Sequence, residues 1–281
     1  SDTSEPVTFT AGTLLIEAGS SSIGSQYFDP NEAIYLYGVE AGTGDLYEIN
    51  VKEGVDDNAR LNKIYEGLGN KGGSYPNALA FDNVNDRLYF ISTTNGTQLK
   101  FFDFNDGTVK TAARSIQSRG AMMCATFGDG YYWFIPEGGS HGSGKTLFRW
   151  KIDPATGEVV SGSIEEVATL DATGNFNYGD IAIDYVDGII YGSASTKVSG
   201  KAKPKFFSYN IATKEFEEFE DAGLEGKHLQ LAYGSDRILY GHSGDQAGTG
   251  DWYKVTFADD GKVYTSDSLF NTINLVDLAS G

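Results

Sequence analysis

The stretch Gly139-Ser-His-Gly-Ser-Gly-Lys145-Thr146 has the spacing of a phosphate-cradling loop: Gly, four residues, Gly-Lys-Thr. That chemistry needs a helix directly after the glycines, because the helix N-terminal amides hold the phosphate. Here the following residues, Leu147-Phe-Arg-Trp-Lys-Ile152, alternate apolar with polar as a strand does, so the segment reads as a turn. The three histidines, His141, His228 and His242, are dispersed, with no His or Cys at ligand spacing. Zinc and a Ser-His-Asp triad are both disfavoured by that dispersal. Cys124 is alone, which excludes an intramolecular disulfide and any site built on paired thiolates. No catalytic residue and no metal site is assigned.

Carboxylates offer more. Asp29, Asp82 and Asp184 each close a short apolar run and head a polar turn. An aspartate there accepts backbone amides two residues on, so Asx-turns are expected rather than a ring of cation ligands. No Asp-x-Asp-x-Asp-Gly calcium loop occurs. Asn95-Gly-Thr97 is the one glycosylation sequon, relevant only in a secretory host.

The elements that would position these residues are set by an internal repeat. Asn77-Ala-Leu-Ala-Phe-Asp82 leads through a polar turn to Arg87-Leu-Tyr-Phe-Ile-Ser92. Gly179-Asp-Ile-Ala-Ile-Asp184 leads likewise to Ile189-Ile-Tyr-Gly-Ser193, and His228-Leu-Gln-Leu-Ala-Tyr233 to Arg237-Ile-Leu-Tyr-Gly241. Weaker copies are Ser25–Asp29 with Ala33–Tyr37, and Met122–Phe127 with Tyr131–Ile135. Each continues into an alternating third strand, such as Gln98–Asp103, and then a turn such as Asn105-Asp-Gly107 or Asp153-Pro-Ala-Thr-Gly157 opens a fourth. The first strands end at 29, 82, 127, 184 and 233, a spacing suited to four-stranded propeller blades.

The chain is thus expected to be one all-β domain over residues 1–281, with residues 1–6 a flexible tail. About six blades are expected, with five as the alternative. Val7-Thr-Phe-Thr10 and Thr13–Glu17 resemble third and fourth strands, and Asn271–Leu278 a first strand, so N- and C-terminal strands are expected to pair and close the ring. The short strand, Asp and turn, Leu-Tyr-Phe, and later Asp-Pro-Ala-Thr-Gly turn resemble the extracellular repeat propellers of microbial surface proteins. That resemblance implies an architecture and an extracellular or cell-surface setting, and it carries no functional residue across.

In propellers the heads of the first strands ring a central channel. Asn77, Asp180 and Gln230 are therefore the binding candidates, with Tyr75 and Asn177 just upstream. Calcium-dependent lactonases of the regucalcin type place their metal ligands at such positions, so a divalent cation such as calcium belongs to the enzyme alternative; otherwise no cofactor is expected. Lys197, Lys201, Lys203 and Lys205 form the one basic cluster, read as a mobile loop and a candidate partner contact.

Composition narrows the partners. Thirty-nine acidic residues against 21 basic give a net charge of −18, which repels nucleic acid and anionic membrane surfaces. No apolar run approaches a membrane span, and the polar start at Ser1 reads as a processed terminus. The expectation is a non-enzymatic, secreted or surface-displayed binding, adhesion or scaffolding module with protein or glycan ligands or copies of itself as partners. The alternatives are a structural subunit of an extracellular filament and a metal-dependent, lactonase-like or glycan-cleaving hydrolase using the central channel.

Overall fold

The computed structural model describes residues 33–68, 76–92, 98–113, 122–136, 146–170, 177–198, 201–221, 229–244 and 248–281, with backbone alone at 122–123, 177–178, 195–198 and 201–204. These residues are all-β, with a single 3-10 turn at Asp57–Ala59. The first unit holds β1 (Tyr35–Glu40), β2 (Leu46–Asn50) and β3 (Leu61–Tyr65). The second runs β4 (Asn77–Asp82), β5 (Arg87–Ile91), β6 (Leu99–Asp103) and β7 (Thr108–Ala113). The third runs β8 (Met122–Gly128), β9 (Tyr131–Pro136), β10 (Thr146–Lys151) and β11 (Glu165–Thr169). The fourth runs β12 (Asn177–Asp184), β13 (Ile189–Val198), β14 (Lys201–Asn210) and β15 (Phe216–Asp221). The fifth runs β16 (Gln230–Tyr233), β17 (Leu239–Gly244), β18 (Thr249–Ala258) and β19 (Lys262–Thr265), followed by β20 (Asn271–Ile273) and β21 (Leu275–Ser280).

Every unit is an antiparallel meander in chain order, and β21 completes the first by pairing β1 with Leu36 opposite Ser280 and Gly38 opposite Leu278. The described residues therefore make three four-stranded sheets and one nine-stranded sheet, a propeller-like β fold; in the nine-stranded sheet the fourth and fifth meanders join through a short parallel pairing of β15 with β19. The strands expected from residues 7–17 and 25–29 lie outside the described residues. One detail differs from expectation. The partner of the 33–37 strand is the C-terminal β21, where the sequence repeat suggested Ser25–Asp29.

The hairpins show how the sequence sets the meander. Asp103, Asp153, Asp184 and Asn210 each accept, at the backbone carbonyl, the amide of the residue four positions on at 2.8–2.9 Å. Each also accepts, at its side chain, the amide two positions on. The fourth residue has positive φ: Gly107, Gly157, Gly188 and Lys214. This is a four-residue hairpin loop whose last position is αL, which glycine adopts at little cost. Asp82 caps its turn likewise, through the amides of Val84 and Asn85. Gly157 has a second constraint, because a Cβ there would lie 2.7 Å from the Phe101 ring.

Burial explains why first strands read as unbroken apolar runs. Each sheet has a neighbour on both faces, so residues of either parity are covered. The core divides into clusters that lie between units. One joins Ala80, Tyr89 and Phe101 to Phe127, Tyr132 and Trp150, across units two and three. Others join three to four through Trp133, Leu147 and Ile181, and four to five through Ala182, Phe206, Leu229 and Val255. Units five and one share Tyr240, Trp252, Leu36 and Leu278, and units one and two share Val39, Leu46, Leu79 and Phe90.

Truncation before Leu275 should remove the strand on which two of these clusters depend. The expected result is loss of a single cooperative thermal transition by circular dichroism. The point variant Leu278→Ala, at a side chain 1% exposed, is expected to cost ~2–5 kcal/mol in urea unfolding.

Candidate functional site

The heads of the first strands carry the only concentrated buried polar chemistry among the described residues. Asp180 and Asp277 are fully buried. Asp180 Oδ1 accepts the Ile181 amide and its Oδ2 accepts the Leu231 amide of β16, both at 2.8 Å. Asp277 repeats the arrangement: Leu278 donates to Oδ1 at 3.0 Å and Leu79, on β4, donates to Oδ2 at 2.8 Å. Each carboxyl thus bonds the next residue in its own strand and a backbone amide of the neighbouring unit.

Neutral side chains serve the remaining seams. The Ile183 amide donates to Thr126 Oγ1 at 3.3 Å, and the Tyr233 amide to Ser280 Oγ at 2.9 Å. The Tyr132 hydroxyl donates to the Ala78 carbonyl at 2.7 Å, and Ser193 Oγ to the Leu229 carbonyl at 2.5 Å. Local backbone shape assists at Gly179, where a Cβ would collide with the Ser193 carbonyl. Only glycine lets β12 bulge there and turn Asp180 toward β16.

Electrostatics follow from burial. Desolvation raises the Asp180 carboxyl well above its ordinary value, and the nearby Asp277 charge raises it further against the pull of its two amides. Burial likewise pushes Asp277 up to about 8, with the Leu79, Leu278 and Ala78 amides opposing. Cys124 and Tyr132 are raised by burial and by the same two carboxyls, so Cys124 is an inert thiol. Two carboxyls held high in one interior are the raw material of acid–base chemistry. Here, however, all four oxygens already accept backbone amides.

Asn77, Asp180 and Gln230 do occupy corresponding places in units two, four and five. Asn77 Oδ1 accepts the Ala78 amide at 2.8 Å, the same local bond that Asp180 and Asp277 make. Ala78 itself has φ 58°. Gln230 is half-buried and lies directly opposite His242. The sequence reading missed Asp277, although Asp277-Leu-Ala repeats Asp180-Ile-Ala and Gln230-Leu-Ala. The strand boundary drawn through Asn271–Leu278 hid that match. It also missed His242, a fully buried ring 5.0 Å from Trp252. Neither His242 nitrogen makes a well-formed hydrogen bond among the described residues. Burial lowers it to about 4, against smaller upward pulls from the Ile273 backbone and Asp251.

The lysine cluster is not a loop. β13 and β14 continue as a paired ladder through Ala194↔Lys205, Thr196↔Lys203, Lys197↔Ala202 and Val198↔Lys201. Lys205 pairs with Glu218 at 3.2 Å. Of the phosphate-loop lookalike, Gly139–Lys145 lies outside the described residues, and Thr146 opens strand β10. Asp29, Tyr75, Asn95–Thr97, His141 and His228 also lie outside. Among the described residues no three His, Cys, Asp or Glu side chains gather as metal ligands, and no helix is long and apolar enough to cross a membrane.

No known family model matches the sequence, and no curated protein matches it. Solved structures do resemble the fold. A bifunctional GH43-CE protein from Bacteroides eggerthii aligns with TM-score 0.50 and 15% identity over 85% of this chain and 36% of its own. A Bacteroides thetaiotaomicron protein of unknown function aligns at 0.49 and 16% over 83% and 58%, and a Lactobacillus plantarum protein at 0.42 and 12% over 86% and 70%. The chain spans 58% and 36% of the two Bacteroides structures. At such identity the likeness to the GH43-CE protein is one of fold alone, a propeller-like β structure.

The buried groups set a pH signature. An aspartate ordinarily ionises near 3.8, whereas folded Asp277 holds its proton to about 8. The native state therefore binds more protons between those values, and stability falls as pH rises from about 4 to about 8. His242 acts in the opposite sense: the unfolded ring gains a proton at 6.5, the native one only near 4, so stability is lost as pH falls between them. Urea-unfolding midpoints across this range are expected to show a shallower alkaline decline in Asp277→Asn and a shallower acid decline in His242→Phe. Variants that track the wild-type pH profile would contradict the assignment.

Proposed function

We propose that the chain is a five-bladed propeller whose ring is closed by β21, acting as a non-enzymatic binding or scaffolding module that is secreted or displayed at a cell surface. The observation that carries this reading is the commitment of the central polar groups. Asp180, Asp277, Thr126, Ser193, Ser280 and Tyr132 all bond the backbone of an adjacent unit. A centre spent on holding units together favours a rigid frame whose loops recognise a protein or glycan. The net charge of −18 supports a well-solvated setting and disfavours polyanionic partners for the body of the molecule.

A second reading is supported by one feature. Asp180 and Asp277 are paired carboxyls raised by burial, and the GH43-CE protein shares the fold by likeness. A glycan-cleaving or metal-dependent lactonase-like enzyme would have to free them from their amides and admit substrate, with calcium as the candidate ion. Under the binding reading, a glycan array gives ligands, and no turnover of aryl glycosides or lactones occurs with or without calcium. Calcium is also expected to leave the melting temperature unchanged. Turnover lost in Asp180→Asn or Asp277→Asn, with the wild-type circular dichroism retained, would overturn that reading in favour of the enzyme.

A further inference from the structure

His242 occupies a place that another unit gives to a bond between units. Ser193 lies opposite Asp180 and His242 opposite Gln230, each two residues from an Ala–Tyr pair, Ala182↔Tyr191 and Ala232↔Tyr240. Ser193 commits its hydroxyl to the Leu229 carbonyl of the next unit. His242 makes no equivalent bond: neither ring nitrogen has a well-formed partner among the described residues. The ring lies over Gly250, where a Cβ would collide with Nε2, and beside Trp252 with centroids 5.0 Å apart.

Gln230, His242 and Trp252 form one row across β16, β17 and β18, because directly opposed residues share a side of the sheet. That side faces unit one, where Trp252 packs with Leu36 and Leu278. β20 fastens the outer end of the row. It pairs with β18 over only three positions, Thr249↔Ile273 to Asp251↔Asn271, and Thr272 Oγ1 accepts the Trp252 indole N–H at 2.8 Å. Phe270 stacks on Trp252 at 5.6 Å, with the Arg60 guanidinium of unit one 3.8 Å from the Phe270 ring centre. β17 and β18, by contrast, share six paired positions. Asn274 alone separates β20 from β21.

The charged groups on the neighbouring elements leave the ring without a counter-ion. On β18, Asp251 accepts from Ser268, Asn271 and Tyr253, and Lys254 pairs with Glu53 of unit one. Arg60 is held by Asp57. On β17 itself, Tyr240 donates to Asp236. β16 presents the neutral Gln230, and Asn271-Thr-Ile273 of β20 has no ionisable side chain. Asp277 of β21 bonds Leu79 and Leu278 and keeps its proton to about 8. Asp245 lies outside the described residues. An imidazole buried in this way is stable when neutral, whereas an imidazolium has to be paired or to reach water. The shortest pairing around it, that of β20 with β18, is the one that yields.

We propose that His242 is an acid-operated latch: when the ring binds a proton, β20 leaves β18, Trp252 is uncovered and β21 loosens, while the remaining seams stay shut. Burial makes the latch selective. It lowers His242 to about 4 from 6.5, whereas Asp277 already carries its proton in that range and Asp180 is raised in the same direction. The latch rests on packing within the chain, so it stands or falls separately from the binding reading.

Hydrogen exchange of the full chain, followed by mass spectrometry at pH 7 and pH 5 with rates normalised for intrinsic exchange, reads the opening segment by segment. Ordinary carboxylates are still ionised at pH 5, so surface ion pairs persist. Linkage between a folded value of about 4 and an exposed value of 6.5 predicts that opening of residues 269–280 rises about tenfold or more. β8–β10 are expected to keep their protection. His242→Phe cannot bind the proton and is expected to hold residues 269–280 closed at pH 5. Circular dichroism at pH 7 checks its fold, and His242→Gln replaces it if that fold is lost. A wild-type segment that stays closed at pH 5, an opening shared equally by every unit, or a folded variant that opens as the wild type does would each overturn the proposal.

Discussion

The innermost strand of each unit is an edge strand. On one side β4, β8, β12, β16 and β21 pair within their own sheets, and on the other their amides and carbonyls have no strand to meet. A buried backbone group without a partner costs about 1–3 kcal/mol, so five such edges brought together would be hard to sustain unaided. Side chains from neighbouring units resolve this. Leu79, Ile183, Leu231 and Tyr233 donate to Asp277, Thr126, Asp180 and Ser280, while Ala78 and Leu229 accept from Tyr132 and Ser193. The apolar contacts between units are non-directional, whereas these bonds fix the register of one inner strand against the next.

That constraint ties the two ends of the described chain together. β21 pairs with β1, Asp277 on it reaches β4, and Ser280 on it reaches β16. One six-residue strand therefore contributes to three sheets at once. The apolar faces say the same thing: Leu278 packs with Trp252 of unit five and Leu36 of unit one, while Ala279 faces the cluster with Leu79 of unit two. Alternation along one strand assigns its residues to two different seams. A single meander has two sticky faces and cannot be stable alone, so this sharing is what makes the repeat a fold.

Much of this was legible in the residues. The four-strand meander, the Asp-headed turns and the doubly covered first strands follow from local rules: period-two alternation, Asx capping and glycine at αL. Asp82 and Asp184 behave as turn caps because both capping amides lie within three residues. What was hidden depends on distant partners. Nothing local says that Asp277 bonds Leu79, nearly two hundred positions away, or that β21 occupies the place the repeat offered to Ser25–Asp29. The lysine run read as a loop between second and third strands, kept mobile by the repulsion of its like charges. The ladder of ten paired positions between β13 and β14 supplies backbone bonds that outweigh that repulsion. His242 was set aside as a dispersed polar residue, and only tertiary burial beside Trp252 makes it distinctive.

The buried carboxyls pose the sharpest question of cause. Two ionised aspartates in one interior would be costly, and burial raises both. Replacing them with leucine would remove that cost and improve hydrophobic burial, but would strand the Leu79 and Leu231 amides at an inner edge. Asparagine would offer one acceptor where two oxygens now serve two amides. A carboxyl that keeps its proton gives two acceptor oxygens without a full charge, and its hydroxyl is a donor as well. The raised ionisation of Asp277 is therefore consistent with the structural task. Neighbouring units that use Thr126 and Ser280 need only one acceptor and avoid the titration altogether. The difference between seams follows from the number of donors each must satisfy: two amides at Asp180 and at Asp277, one at Thr126 and at Ser280.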